Sequence, residues 1–343
     1  MSLSGWAFRS DGCVRSKSVR FLSLFFDLLE PFFRLGQRWL GLSRLGWLFV
    51  APNLFVIGLF TFLPILINLV YATTGGVNLF PFQRPFTGVE NFQILFECGD
   101  YLDLSTCRKD VFWRAIGNTL QFSLLQVVLM VLLSLVTALV LNRKIIGRGF
   151  WRGVFFYPVL LSPVVVALIW KWLLQNQGAF NAGLVSMGIA PVEWLTDAGW
   201  AFFWTVFVSI WAHMGFYTLI LLAGLQAIPR DLYEAAEMDR ASPWRTLTRI
   251  TLPLLMPNLV VVLVLAAIRA VQVFDEVFVL TGGGPGSATT FIVQFIYQTG
   301  VAEQIHLYGL AAAASLALAV FLIVLTLAQL RLSRASEMGQ KGR

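Results

Sequence analysis

The chain has 343 residues, 58% of them hydrophobic and only 13% charged. No soluble core of this length hides so much apolar surface, so the composition excludes an ordinary water-soluble domain and points to membrane insertion. The net charge of +7 does not read as a nucleic-acid footprint, because the basic residues are scattered between apolar spans in the manner of positive-inside topology.

Residues 1–44 form a basic arm with Arg9, Arg15, Lys17, Arg20, Arg34, Arg38 and Arg44. Its middle mixes Phe and Leu with Asp27 and Glu30 and is broken by Pro31. A clean apolar stretch followed by a small-residue cleavage site is missing, so the arm is not read as a signal peptide. It fits an interfacial segment on the inner leaflet, with partial disorder as the alternative.

Six apolar spans follow, near 46–72, 113–141, 153–174, 201–226, 257–280 and 308–330, each long enough to cross roughly 30 Å of hydrocarbon. The fold class is therefore all-α, a polytopic membrane protein with six transmembrane helices: arm 1–44, membrane-spanning domain 45–331, tail 332–343. Pro64, Pro158 and Pro163 predict kinks or broken turns in the first and third spans. The 142–152 loop carries Arg143, Lys144, Arg148 and Arg152; the 227–256 loop carries Arg230, Arg240, Arg245 and Arg249. The opposite loops hold only Arg84, Arg108 and Lys109. Both termini and the 227–256 loop are therefore expected in the cytoplasm. Cys98 and Cys107 lie in the first external loop, with Cys13 in the arm. In an oxidising compartment the external two can close a disulfide worth about 2–3 kcal/mol; two free thiols are the alternative.

The loop 229–257 is a polar island. Asp231 and Glu234 have the spacing of a capping box, and Ser242 followed by Pro243 predicts a second helix start. Trp244, Leu247 and Ile250 recur at helical spacing, before Pro253 and Pro257 interrupt the pattern. Its charges suit either an ordinary solvated face or docking to a soluble partner.

Polar residues inside the spans are the other candidates. Arg269, Gln272, Asp275 and Glu276 form a possible stripe on the fifth span, expensive in lipid unless paired or wet. They serve either as a translocation path offering acceptors to solute hydroxyls, with Trp211 and Tyr217 stacking on a ring, or as helix-fixing pairs. His213 on the fourth span and Asn118, Gln121 and Gln126 on the second carry the same two readings. His213 and His306 are the only histidines, and no metal-ligand spacing is present. Gly282–Ser287 lacks the Lys of a phosphate loop.

Glu234-Ala235-Ala236, three residues, Arg240, nine residues, then Ile250-x-Leu252-Pro253 resembles the EAA loop of ABC importer permeases. Arg240 departs from the family, which usually has Gly there; the turn either tolerates Arg in a different geometry or docks more weakly. Asn118-Thr119, Phe150-x-Arg152 with Pro158, Trp170, Gly178-x-x-Asn181, Trp194-Leu195, Trp211 and Leu222-Ala223-Gly224-Leu225-Gln226-x-Ile228-Pro229 extend the likeness across residues 52–330. Phe274-Asp275-Glu276 with Leu280-Thr281-Gly282-Gly283-Gly284-Pro285 is similar to the carbohydrate-uptake branch, which includes permeases for maltose, glycerol 3-phosphate, lactose and α-glucosides.

The resemblance implies the type I importer permease fold and a cytoplasmic coupling helix, with Glu234, Ala235, Ala236, Asp239, Arg240, Ile250, Leu252 and Pro253 facing an ATPase. It implies a heterodimer with a second permease, two ATPase subunits that hold ATP and Mg, and a periplasmic sugar-binding protein. The chain itself is expected to sit among lipid in the bacterial inner membrane, to bind no cofactor, metal or nucleic acid, and to be no enzyme. An importer of amino acids or polyamines is the alternative; it shares the EAA loop but should lack the FDxxxxLTGGGP pattern. A membrane enzyme would need a catalytic dyad or metal set, and none is seen.

Overall fold

The structure is a computed structural model that describes residues 45–341 apart from Leu102 and Lys144. The N-terminal arm 1–44 and the expectation that it lies at the membrane surface fall outside the described residues. By internal contact the chain divides into Met1–Ile67 and Asn68–Arg343. In the first unit, α1 (Leu45–Ile57) runs through a π-helical turn, Gly58–Phe62, into α2 (Leu63–Ala72). Phe55, Phe60 and Phe62 of this segment are exposed, as apolar residues facing lipid or another protein would be.

The second unit begins in α2. Asn91, on α3 (Glu90–Phe96), donates to the Ala72 and Thr74 carbonyls at 2.9 and 3.1 Å, pinning the loop after α2 to the end of that helix. Cys98 and Cys107 are joined by a disulfide. Then comes α4 (Asp110–Asn142), whose buried residues Phe112, Ala115, Thr119, Phe122, Gln126, Met130, Ser134, Ala138 and Leu141 recur every three or four positions. That spacing presents one continuous stripe to neighbouring helices. The small Ser134 and Ala138 let another helix approach closely.

The third crossing departs from expectation. A span with a kink or broken turn was predicted over 153–174; it is longer and more sharply bent, with α5 (Arg148–Phe156) and its 3₁₀ extension Tyr157–Leu160 meeting α6 (Pro163–Leu174) and α7 (Ala179–Ser186) at 99°. Pro158 and Pro163 both lack the amide a helix needs, and Ser162, preceding a proline, is held extended at ψ 137°. Of the kink or broken turn that the two prolines predicted, the chain takes the broken turn.

α8 (Ala198–Ala227) is the most enclosed helix. A Cβ on its Gly215 would collide with the Phe155 carbonyl oxygen and lie 3.0 Å from Phe156 Cα. Only glycine permits that approach of backbone to backbone.

Two short helices, α9 (Arg230–Met238) and α10 (Pro243–Thr246), lead through a π-helical turn, Leu247–Thr251, into α11 (Leu252–Val271). Pro253 and Pro257 therefore do not interrupt the helix as expected. The π turn widens the backbone just ahead of Pro253, where the ring would otherwise meet the preceding turn's carbonyl. The fifth span runs Pro243–Val271 rather than 257–280. It ends at Gln272, and α12 (Asp275–Leu280) restarts separately.

After the glycine-rich turn come α13 (Ile292–Tyr297) and α14 (Tyr308–Lys341). Among the described residues, five helices are long and apolar enough to cross a membrane, and the bent pair taken as one span makes a sixth. No strand occurs among the described residues, only isolated bridges between Thr74 and Phe86 and between Cys98 and Cys107. The main core joins α4, α8 and α11 around Phe122, Leu221, Leu255 and Val262.

Candidate functional site

Two features stand apart from the apolar bundle. The first is the loop pair α9–α10. The expected Asp231/Glu234 capping box is not formed: α9 starts after Pro229 with no side-chain cap, and Asp231 sits inside the first turn. The helix starts two residues earlier than a cap at Asp231 would set it, so Asp231 acts on the helix dipole rather than as a cap. The second start is as predicted, with Ser242 Oγ accepting from the Arg245 amide at 3.3 Å and Pro243 at the first helical position.

Between them the chain makes a Schellman turn. Ala241 N donates to the Ala236 carbonyl at 2.9 Å and Arg240 N to the Glu237 carbonyl at 3.0 Å, with Arg240 at φ 49°. The left-handed position that a glycine usually fills is kept, so the departure at Arg240 does not change the turn's geometry. It carries instead about 1 kcal/mol of backbone strain. Tyr233 Oη and Thr251 Oγ1, 3.2 Å apart, tie α9 to the start of the long helix.

Of the coupling candidates, Glu234, Ala235, Asp239 and Arg240 are exposed, Ala236 is buried against the bundle, and Ile250, Leu252 and Pro253 are half-buried. Met238 is 86% and Trp244 73% exposed. These two large apolar side chains, held out on a polar, well-tied loop, make it a candidate docking surface. Beneath the loop, the Gln226 amide oxygen, oriented toward the guanidinium groups, accepts from Arg152 at 2.6 Å and Arg148 at 3.2 Å.

The second feature is a polar cluster within the spans. Ser209 on α8 is its hub. Gln126 Nε2 of α4 donates to Ser209 Oγ at 2.8 Å, and Ser209 Oγ donates to Glu276 Oε1 of α12 at 3.1 Å. One turn on, His213 Nδ1 lies 2.8 Å from the Ser209 carbonyl, and its Nε2 meets the Arg269 guanidinium of α11. A guanidinium only donates, so Nε2 accepts and the ring is neutral with its proton on Nδ1.

The break at Gln272 gathers the polar residues that the sequence suggested as a stripe. Arg269, Gln272, Asp275 and Glu276 line a cleft of about 260 Å³. Glu276 is buried, whereas Arg269, Gln272 and Asp275 are exposed. Arg269 does not form the expected salt bridge with a carboxylate among the described residues; its partner is His213.

Other candidates lie elsewhere. Asn118 Nδ2 donates to the Ser287 and Thr290 carbonyls at 2.7 and 3.1 Å, fastening the glycine-rich turn to α4. Gln121 is exposed and hydrogen-bonds to nothing among the described residues. Trp211 packs edge-on against Trp170, centroids 5.5 Å apart. Tyr217 is 2% exposed within the main core; in this conformation it offers no ring face to a solute, contrary to the stacking role expected of it. Ser209 was missed. The available signal was a hydroxyl four residues before an intramembrane histidine, on the same helical face.

A helical bundle of five crossings with a bent pair as a sixth, a polar cleft at one end of a long span and a tied polar loop at the other, fits a membrane permease. The chain belongs to the family of binding-protein-dependent transport system inner membrane components, whose model matches residues 109–337. It is 38% identical over 293 residues to the trehalose/maltose transport system permease protein MalF of Thermococcus litoralis, covering 85% of this chain and 94% of that one. It is 33% identical over 280 residues to the sulfoquinovosyl glycerol transport system permease protein SmoG of Agrobacterium fabrum, covering 80% and 87%. Among solved structures, a bacterial ABC transporter involved in import of the acidic polysaccharide alginate matches with a TM-score of 0.71 and 28% identity, over 84% of this chain and 96% of that one.

Proposed function

We propose that this chain is one permease subunit of an ABC importer that carries a sugar or sugar derivative into the cytoplasm. The observation that carries the reading is the pairing of the α9–α10 docking loop with a polar cleft at the other end of the same span. Relatives that transport trehalose/maltose and sulfoquinovosyl glycerol, and the FDxxxxLTGGGP pattern, support a sugar over an amino acid or polyamine.

The partners are a second permease, two ATPase subunits and an external sugar-binding protein; a related alginate transporter is known in complex with a periplasmic protein bound to an alginate pentasaccharide. ATP and Mg belong to the ATPase. Loop charge favours both termini and α9–α10 on the cytoplasmic side. Glu234, Asp239 and Arg240, with Met238 and Trp244, form the docking face. Gln272 and Asp275 offer acceptors and donors to sugar hydroxyls at the cleft, while His213 and Glu276 hold its walls.

ATP-driven closure of the ATPases shifts the bundle between inward- and outward-facing states only by binding those states differently. The α9–α10 pair, stiffened by its Schellman turn and the Tyr233–Thr251 bond, transmits that difference.

The test is copurification with the products of neighbouring genes, then ATPase assay across a sugar panel with the cognate binding protein. Stimulation by one glycoside class is expected. Stimulation by amino acids or polyamines alone discards the sugar assignment, and failure to capture any ATPase discards the importer reading.

A further inference from the structure

Arg84 carries a charge that no described residue neutralises. It lies in the external loop between α2 and α4 and is 7% exposed. Nε donates to Thr74 Oγ1 at 3.0 Å, Nη1 to the Asn78 carbonyl at 2.7 Å and Nη2 to the Thr74 carbonyl at 3.2 Å. The guanidinium also faces Tyr71 and Tyr308, 5.2 and 5.9 Å from the ring centroids. These partners use three of its five N–H donors and supply no formal negative charge. No carboxylate pairs with it among the described residues. Burial lowers its pKa from the usual value, with the two tyrosines opposing. Buried charges persist in proteins when they are paired.

Two more cations share its pocket. A cavity of about 360 Å³ is lined by Arg84, Asn91, Arg108 and Lys109 on its polar side and by Leu307 and Leu310 on its apolar side. Arg108 gives one bond to Glu97 at 2.8 Å, and Lys109 has no ion-pair partner among the described residues. The Cys98–Cys107 disulfide closes the hairpin that delivers Arg108 and Lys109 to this wall. The pocket is thus cationic on balance, with room for a small oxyanion.

We propose that this pocket binds the phosphate of an anionic lipid headgroup, held between Arg84 and Lys109 with Arg108 at the rim. Its place beside two membrane-crossing helices favours a lipid over a soluble anion. The wall is built where two membrane-crossing helices begin, Asp110 on α4 and Tyr308 on α14. Tyr71 and Tyr308 stand beside it, as tyrosines do at the headgroup level. The apolar Leu307 and Leu310 side suits the start of an acyl chain, and clusters of basic residues between spans recognise anionic headgroups.

The test uses the full chain purified with its transporter partners, stripped of lipid in neutral detergent. It is titrated with phosphatidylglycerol, phosphatidylcholine or inorganic phosphate and read by thermal melting and by native mass spectrometry of retained lipid. Phosphatidylglycerol alone should be retained and raise the melting temperature. Lys109→Gln and Arg108→Gln should each weaken its binding about fivefold, leaving phosphatidylcholine unchanged. Both variants spare the Arg84 bonds that fold the loop, so their result does not depend on tolerance of change at Arg84. Equal retention of the two lipids overturns the proposal. So does a melting shift with inorganic phosphate equal to that with phosphatidylglycerol, which marks a free-anion site. Unchanged lipid binding in both variants, with loss of stimulation by the binding protein, also overturns it and assigns the cations to a protein contact.

Discussion

Replacing Ser209 by alanine should loosen the bundle at its polar hub. Ser209 is fully buried, and its partners Gln126 and Glu276 are 3% and 6% exposed, so water does not readily replace what the mutation removes. Two hydrogen bonds vanish, to Gln126 Nε2 and to Glu276 Oε1. Gln126 Oε1 already lacks a partner, which leaves the whole amide orphaned. Hydrogen bonds between membrane helices average about 0.6 kcal/mol each and reach about 1.7 kcal/mol. The expected loss is about 1–2 kcal/mol, well below the sum of two orphaned groups in a soluble core. Gln126→Leu in the same background removes the orphan, so the double variant should lose less than the two single losses added. The assay is thermal melting of the purified transporter for wild type, both single variants and the double. Strict additivity, or a Ser209→Ala protein as stable as wild type, would refute the view that Ser209 joins α4 to α12.

Arg240→Gly should be nearly neutral in melting, because relief of about 1 kcal/mol of left-handed strain is offset by the greater chain entropy of glycine. Arg240→Val at the same φ of 49° should cost more than either, and a Val variant as stable as wild type would deny the strain. Gly215→Val forces a side chain onto the Phe155 backbone and should lower stability by about 1–3 kcal/mol, visible as reduced yield of folded protein. Glu234→Lys reverses charge on the exposed face of α9 and should abolish sugar-stimulated ATPase activity and uptake while membrane insertion persists. Unimpaired uptake by that variant would sink the docking assignment.

Sequence reading located the crossings well because lipid imposes a crude requirement, about twenty apolar residues. It also found the Ser242–Pro243 start, a purely local signal. It placed both breaks poorly. The bend at Leu161–Ser162 was foreshadowed by two prolines, but its 99° angle depends on what α6 packs against. The end of α11 at Gln272 has no glycine or proline to announce it. There the chain parts in register with α12, whose Glu276 reaches Ser209, a tertiary pairing invisible to a one-dimensional pattern. Tyr217 was left open for the same reason: an aromatic four residues after an intramembrane histidine fits a solute platform or a packed core, and only the tertiary structure shows the main core enclosing it.

The two candidate features are ends of one object. Pro243–Val271 is a continuous helix of 29 residues, about 43 Å long at the α-helical rise. Trp244 stands at its docking end, and Arg269 lies two residues before its far end, bonded to His213. Any displacement of the loop is therefore delivered to the cleft as a rigid motion, or absorbed where the helix is weakest, at the π turn or at Pro257. A single alanine inserted after Leu263, on the exposed side of the helix, distinguishes these. It turns everything beyond it by about 100° relative to the docking end. Arg269 then leaves His213 while α9 and α10 keep their surface. The ATPase should still copurify, yet transport and its coupling to hydrolysis should fail. Retained transport would mean that the cleft is driven through α8 or the second permease, and that the long helix is a passenger. The geometry argues otherwise, since the residues that tie the loop down, Tyr233 and Thr251, tie it to this helix.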